Sequence, residues 1–299
     1  MKLLLLGGNG QVGRELRRSL SPLGEVVVAT RDGVDADVSA DFNAPSSLAA
    51  VVHAVAPDVV VNAAAHTAVD RAESDPGTAF RINAEAPGAV ARACAATDAL
   101  LLHYSTDYVF DGLGAQPYRE DDATEPLSMY GRSKLAGEQA IIASGARHVI
   151  LRTAWVYAAH SANFLRTMLR LGAERDELRV VADQVGAPTP AAWIADSSAA
   201  ILGRIGGLGG GSGIWHLTHA GQTSWHGFAK AIMQDAHACG LLAREPRVLP
   251  ITTAEYPTPA QRPAYSVLDT TRLCQDFGVI PPDWRCGLRT TLAELTVSR

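Results

Sequence analysis

A leucine run that stops in glycine constrains this chain more than any other stretch. Lys2 to Leu6 is apolar after its first residue and leads into Gly7-Gly8-Asn9-Gly10-Gln11-Val12-Gly13. Val12, Leu16 and Leu20 then recur at i, i+4 and i+8, the spacing of a helix with one buried face. Buried strand, glycine turn and helix in immediate succession open a parallel α/β unit. Glycines make the turn tight, and free backbone N–H groups at a helix start suit a pyrophosphate. Gly7, Asn9, Gly10, Gln11, Val12 and Gly13 are therefore candidate cofactor contacts. The spacing is G-x-x-G-x-x-G, looser than the common dinucleotide fingerprint, so a ligand-free turn is the competing reading.

The next stretches repeat the strand–helix alternation. Glu25 to Thr30 reads as a second strand, and Asp41-Phe42 follows a short apolar step at Val38, with a helix from about Pro45. Asp58 to Asn62 is a buried strand that runs into Ala63-Ala64-Ala65-His66-Thr67. Pro76 to Ala96 reads as one long helix carrying Asn83, and Ala99 to Tyr104 as a strand ending in Ser105-Thr106-Asp107-Tyr108. The expected fold is α/β, a doubly wound parallel sheet of the Rossmann type. Small residues at a strand's carboxyl end leave room for a cofactor, and tight helix packing is the alternative for Ala63 to Ala65. An NAD fingerprint would place an acid at the end of the second strand, where this chain has Arg31 followed by Asp32. Arg31 suits a 2′-phosphate, which favours NADPH with NADH as the alternative. Asp41, Phe42, Thr67 and Asn83 complete the candidate cofactor contacts.

The polar stretch Gly112 to Ser128 leads to Tyr130-Gly131-Arg132-Ser133-Lys134 on a predicted helix. Four residues apart, Tyr130 and Lys134 share one helical face. A phenol titrates near pH 10. A cation about 4 Å away at an effective dielectric near 20 favours its anion by roughly 4 kcal/mol, enough to lower it by up to about three units. The pair is a candidate general acid or base. The competing reading is a surface tyrosine beside a solvated lysine, although Lys134 is one of only three lysines among 26 basic residues.

Beyond residue 147 the expectations concern a second, smaller part. His148 to Tyr157 reads as one strand delivering Trp155, whose indole suits the apolar face of a sugar or is simply core. A helix is expected over 163–170, a strand over 178–182, a rigid turn at Pro188 and Pro190 before a helix from Trp193, and a strand over 214–217. Thr223-Ser224 caps a helix from Trp225 to Ala238, and a last helix runs from about Leu288. Gly206 to Gly213 reads as a flexible turn. Arg262 lies in the proline-broken stretch 255–265, suited to a diphosphate or to a surface ion pair. The expected organisation is a dinucleotide-binding domain at 1–153 and a mainly substrate-binding, interleaved domain at 154–299, with 188–222 returning to the first.

Composition narrows the partners. Hydrophobic residues make up 47% and charged residues 19%, with net charge −5 and scattered basic residues, which speaks against nucleic acid. Cys94, Cys239, Cys274 and Cys286 form no paired metal or redox spacing. The leucine run is too short for a signal or a membrane span, and the expected location is the cytoplasm. His66, His216 and His219 lack metal spacing and read as structural.

GGNGQVG, VNAAAHTAVDRAE (61–73), HYSTDYVFDG (103–112), YGRSKLAGE (130–138), LRTAWVY (151–157), DQVGAPT (183–189) and YPTPAQRP (256–263) together resemble the extended short-chain dehydrogenase/reductase family, in particular its nucleotide-sugar ketoreductases. The resemblance implies reduction of the C4 ketone of dTDP-4-dehydro-6-deoxy-L-mannose to dTDP-L-rhamnose by NAD(P)H. It gives Tyr130 the role of proton donor, Thr106 that of a second hydrogen bond to the ketone, and Lys134 that of ribose contact. Val69, Asp107, Tyr108, Trp155 and Arg262 become candidate substrate contacts. Some family members bind magnesium at a dimer interface through two glutamates. Glu294 matches one, but Ala192 stands where the other is expected, so no metal is predicted and a homodimer is left open. A non-catalytic regulatory subunit and a sugar epimerase or dehydratase are the competing functions; Tyr108, where dehydratases usually carry an acid, speaks against the last.

Overall fold

The computed structural model describes residues 1–205 and 211–297; most of the glycine turn expected at 206–213 lies outside them. In chain order the first half comprises β1 (Lys2–Leu6), α1 (Gln11–Leu20), β2 (Glu25–Thr30), β3 (Val38–Ser39), α2 (Pro45–Val55), β4 (Val59–Asn62), α3 (Val69–Ser74), α4 (Pro76–Phe80), α5 (Ala86–Thr97), β5 (Leu100–Thr106), α6 (Met129–Ala143) and β6 (His148–Thr153). The second half comprises β7 (Val156–Tyr157), α7 (Phe164–Glu174), β8 (Glu177–Val181), β9 (Val185–Gly186), β10 (Thr189–Pro190), α8 (Ala191–Arg204), β11 (Gly213–His216), β12 (Thr223–Ser224), α9 (Trp225–Ala238), β13 (Arg247–Ile251), α10 (Thr271–Phe277) and α11 (Trp284–Val297).

Seven strands form one parallel sheet in the order β11-β6-β5-β4-β1-β2-β3. The chain works outward from β1 to β3, then returns to the other side of β1 with β4. That reversal opens a crevice at the carboxyl ends of β1 and β4, where doubly wound sheets bind ligands. Continuous apolar strands follow from burial on both faces. Leu3 and Leu5 join one core with Leu16, Leu20, Ile194 and Phe277, while Leu4 and Leu6 join the opposite core with Val52, Val90 and Ile141. A third core, around Tyr157, Leu165, Phe228 and Leu288, belongs to a smaller lobe of α7, α9 and α11 over the β8–β13 pair. The edge strand β11 and the helix α8, which reaches α1 through Arg18 and Asp196 at 2.8 Å, place 191–204 and 213–216 on the large sheet.

Two expected elements are interrupted. The helix expected over 76–96 contains a π-helical turn at Arg81–Glu85. The strand expected over 148–157 breaks into β6 and β7 at Trp155, whose φ is +47°. The final helix starts at Trp284, a turn earlier than expected. Among the described residues, no helix is long and apolar enough to cross a membrane.

Candidate active site

At the crevice, Gly7, Asn9 and Gly10 line a cavity of about 250 Å³ with Arg31, Asp41, Phe42 and Ala63 to Ala65. Nine of the sequence-predicted cofactor residues thus surround one space. The loop is held from below: the Gly7 and Gly8 N–H groups donate to Ala29 O at 3.0 and 3.1 Å. A Cβ at Gly13 would stand 2.1 Å from Gly7 O, so only glycine lets α1 approach the loop this closely. Gly10 caps α1 without a side-chain acceptor, which leaves that helix start free for an anion. Arg31 makes no ion pair among the described residues, while Asp32 Oδ1 accepts the Val34 N–H at 3.2 Å within its own turn. The cradle therefore fits a dinucleotide, with a cation placed for a 2′-phosphate.

Gly13 and four other predicted residues outside α6 lie off this cavity. Gln11 accepts from Asn163 Nδ2 at 3.0 Å, facing the smaller lobe, Val12 packs on the core and Thr67 is exposed. Asn83 is fully buried in the π turn: its amide exchanges bonds with the His66 N–H (2.8 Å) and carbonyl (3.0 Å) and reaches Ser133 Oγ (3.0 Å). Its side chain is committed to holding the 63–67 segment against α6. A π turn here re-aims one side chain inside an otherwise continuous helix.

Helix α6 carries the Tyr–Lys pair and is fixed at both ends. Ser128 caps it by accepting the Gly131 N–H at 3.2 Å, and Glu73 accepts the Met129 N–H at 2.8 Å. Further along, Glu138 pairs with Arg152 of β6 through two bonds of 2.9 and 2.7 Å, both side chains at most 3% exposed. A Cβ at Gly137 would lie 2.1 Å from Asn83 O, so this glycine lets α6 press onto the π turn.

The expected tuning of Tyr130 by Lys134 is not what the structure contains. Lys134 Nζ donates to Tyr104 O at 2.6 Å and lies 3.3 Å from His103 Nε2, so its nitrogen is bonded to β5 behind the helix. Burial instead pushes the Tyr130 phenol up to about 12; a hydrogen bond with Thr106 opposes this and the Asp107 charge adds to it. The phenol is thus protonated at neutral pH, the form a proton donor requires. Thr106 accepts the Tyr108 N–H at 3.2 Å and donates to Asp107 Oδ1 at 3.0 Å, so it caps the 3-10 turn Asp107–Val109 while standing beside Tyr130. Burial raises the Asp107 carboxyl to about 6, against hydrogen bonds with Ser266 and Thr106. The Tyr108 ring meets Tyr130 edge-on at 5.7 Å. Thr106, Asp107, Tyr108 and Tyr130 form one contiguous cluster at the carboxyl end of β5.

The substrate side differs from expectation at two residues. One face of the half-buried Trp155 indole is already taken: Trp225 stacks on it at 3.6 Å and 5°. A positive φ on a bulky aromatic is rare and marks a constrained position. Arg262 takes its ion-pair form, with Nη2 and Nη1 on the two oxygens of Asp70 at 2.8 and 3.1 Å. That pair holds the Asp70 carboxyl below its ordinary range and follows Val69 at the start of α3. Arg262, Trp225, Arg179, Gln184 and Tyr256 line a cavity of about 450 Å³. Sequence reasoning missed Asp70, Glu138, Arg152 and Trp225 as site builders. Trp225 is the first residue after a good N-cap, and Asp70, Glu138 and Arg152 lie inside the motifs at 61–73, 130–138 and 151–157, but nothing local pairs them.

The residues do not fit a magnesium ion. Glu15, Ala192 and Glu294 share a cavity of about 670 Å³ between α1, α8 and α11. Ala192 offers no oxygen, and Glu15 Oε1 is engaged by His160 Nε2 at 2.7 Å.

The sheet order, glycine cradle and Tyr-x-x-x-Lys helix define a nucleotide-cofactor reductase of the short-chain type. The family model described as "RmlD substrate binding domain" matches residues 1–297. A dTDP-4-dehydrorhamnose reductase of Burkholderia thailandensis is 50% identical over 302 residues, covering 99% of each chain. Among solved structures, a dTDP-4-dehydrorhamnose reductase of Clostridium acetobutylicum superimposes with a TM-score of 0.90 at 36% identity, covering 99% of this chain and 100% of the other. The Bacillus anthracis enzyme, solved in complex with NADP, gives 0.88 at 33%, covering 98% and 99%. This chain belongs to the dTDP-4-dehydrorhamnose reductase family.

Proposed function

We infer that this chain reduces the C4 ketone of dTDP-4-dehydro-6-deoxy-L-mannose to dTDP-L-rhamnose with NAD(P)H, the last step of dTDP-rhamnose synthesis. The observation that carries this is the buried Tyr130 phenol hydrogen-bonded with Thr106, at the sheet edge that also forms the glycine cradle. When bound, the nicotinamide cofactor supplies the hydride. Tyr130 gives its proton to the C4 oxygen, and the Thr106 hydroxyl turns from Asp107 to bond the same oxygen. Lys134, on α6 with its nitrogen against β5, reaches the nicotinamide ribose, and Arg31 meets the 2′-phosphate, which makes NADPH the preferred form. Gly7 to Gly13, Asp41, Phe42 and Ala63 to Ala65 hold the dinucleotide, with Thr67 and Asn83 supporting them. Val69, Asp107, Tyr108, Trp155 and Arg262 shape the sugar-diphosphate side. We read residues 1–153 as the cofactor domain and 154–299 as mainly the substrate domain, in a cytoplasmic enzyme.

Incubating the protein with the keto-sugar and NADPH tests this. One cofactor is oxidised per sugar, and Tyr130→Phe slows turnover by about 10²–10⁴. An altered sugar with the cofactor unchanged, or full activity in Tyr130→Phe, contradicts the reading.

A further inference from the structure

Three buried side chains behind the catalytic helix form one hydrogen-bonded file. Asn62 ends β4, His103 lies on β5 and Lys134 on α6, and none is more than 2% exposed. The Ala64 N–H donates to Asn62 Oδ1 at 3.1 Å. A backbone N–H can only donate, so this bond decides which end of the amide faces the loop. The amide nitrogen then faces His103 Nδ1 at 3.0 Å. An NH₂ group cannot accept, so Nδ1 carries the lone pair and the neutral ring keeps its proton on Nε2. Burial alone holds His103 well below the ordinary histidine range, and a charge on Lys134 adds to this whenever the amine is protonated, so the ring is neutral with the amine in either state. Nε2 in turn lies 3.3 Å from Lys134 Nζ, which already donates to Tyr104 O. An ammonium would meet Nε2–H donor to donor. A neutral amine accepts that N–H on its lone pair, and every polar atom in the file is then satisfied.

We propose that Asn62 and His103 are positioning residues that set the proton count on Lys134. Asn62 locks the imidazole as the Nε2–H tautomer, and His103 then disfavours the ammonium until a ligand offers the amine better acceptors. This rests on the reading of Lys134 as a cofactor contact. The charged groups around the amine are few. Glu138, one turn along α6, favours the ammonium but is itself paired with Arg152 of β6. His103 faces it from β5, and Tyr130 and Asp107 lie toward the mouth of the cleft. Burial lowers the amine to about 8 against the pull of Glu138, within reach of a binding titration.

NMR of the full-length protein labelled with ¹⁵N-histidine tests the tautomer without reference to any activity. The expected state of His103 at pH 7 is a protonated Nε2 and a bare Nδ1; a protonated Nδ1 or an imidazolium overturns the proposal. NADPH binding against pH, followed by fluorescence, tests the consequence. Wild-type affinity falls about tenfold per unit above pH 8, because only the ammonium is bound well. Asn62→Asp places an acceptor on Nδ1, moves the ring proton there and turns a lone pair toward the ammonium. Its midpoint moves up by at least about one unit. Equal midpoints in the wild type and in a variant that binds NADPH normally at pH 6.5 overturn the proposal. A wild type with no pH dependence contradicts the ribose role of Lys134, while the NMR result still decides the tautomer lock.

Discussion

The two sides of the cleft are built differently. On the cofactor side, the loop at 7–13 and the strand end at 63–65 make their shape with backbone, and the Arg31 cation makes no ion pair among the described residues. On the substrate side, the two residues best suited to a nucleotide sugar already have partners. Arg262 is held by Asp70, 192 positions away, and Trp155 is stacked on one face by Trp225. The difference separates a preformed receptor from one whose side chains must exchange partners when a ligand enters. Preformation lowers the ordering cost of binding, whereas exchange spends part of the contact energy on the partner given up.

Four changes break or sharpen this contrast, in falling order of effect. Gly13→Ala forces a Cβ to 2.1 Å from Gly7 O, so the loop must shift. Overpacking of this kind costs about 1–3 kcal/mol, and NADPH affinity falls about tenfold or more in a fluorescence titration. An unchanged affinity would mean the cradle is not rigid. Arg262→Ala raises the KM for the keto-sugar by about tenfold, as expected for a lost charge-assisted bond, and leaves NADPH affinity alone. Asp70→Asn frees the guanidinium and lowers that KM. Because Asp70 is 42% exposed, thermal stability changes by less than about 1 kcal/mol. If neither variant moves KM, the pair only braces α3 against the 255–265 segment. Arg31→Ala weakens NADPH by about fivefold and leaves NADH unchanged in steady-state kinetics; equal losses for both would remove the 2′-phosphate reading.

The smallest effect is on stability. Burial pushes the Asp107 carboxyl up from 3.8 to about 6, so the folded protein binds that proton more tightly than the unfolded chain. The unfolded state binds fewer protons in this window, and stability therefore falls as pH rises from about 4 to about 6. Asp107→Asn removes this slope and raises Tm at pH 7.5 by about 2–4 °C in calorimetry. An unchanged slope would place the titrating group elsewhere.

What could be read before the fold was seen follows the same division. The strand–glycine–helix start is governed by local sterics, and the α9 helix at Trp225–Ala238 by a Ser224 cap that accepts the Gly227 N–H at 3.0 Å. Both are legible in a few consecutive residues. The break at Trp155 and the π turn around Asn83 depend on contacts with Trp225 and with His66 and Ser133, which no local pattern announces. The bond from Lys134 to β5 is hidden from the sequence for the same reason. Helical spacing puts Tyr130 on its face, but the strand behind the helix supplies the nearer acceptor, Tyr104 O. Likewise Arg152 and Glu138 each sit in a motif, and only the packing of α6 on β6 joins them as a buried pair.

The central claim is that this cleft performs one carbonyl reduction. Its most direct test is an incubation with the keto-sugar and NADPH deuterated at the transferable position, read by mass spectrometry and NMR. The account predicts dTDP-L-rhamnose carrying one deuterium at C4 and an equal amount of oxidised cofactor. A product without label at C4, or a converted sugar with the labelled cofactor intact, would contradict it.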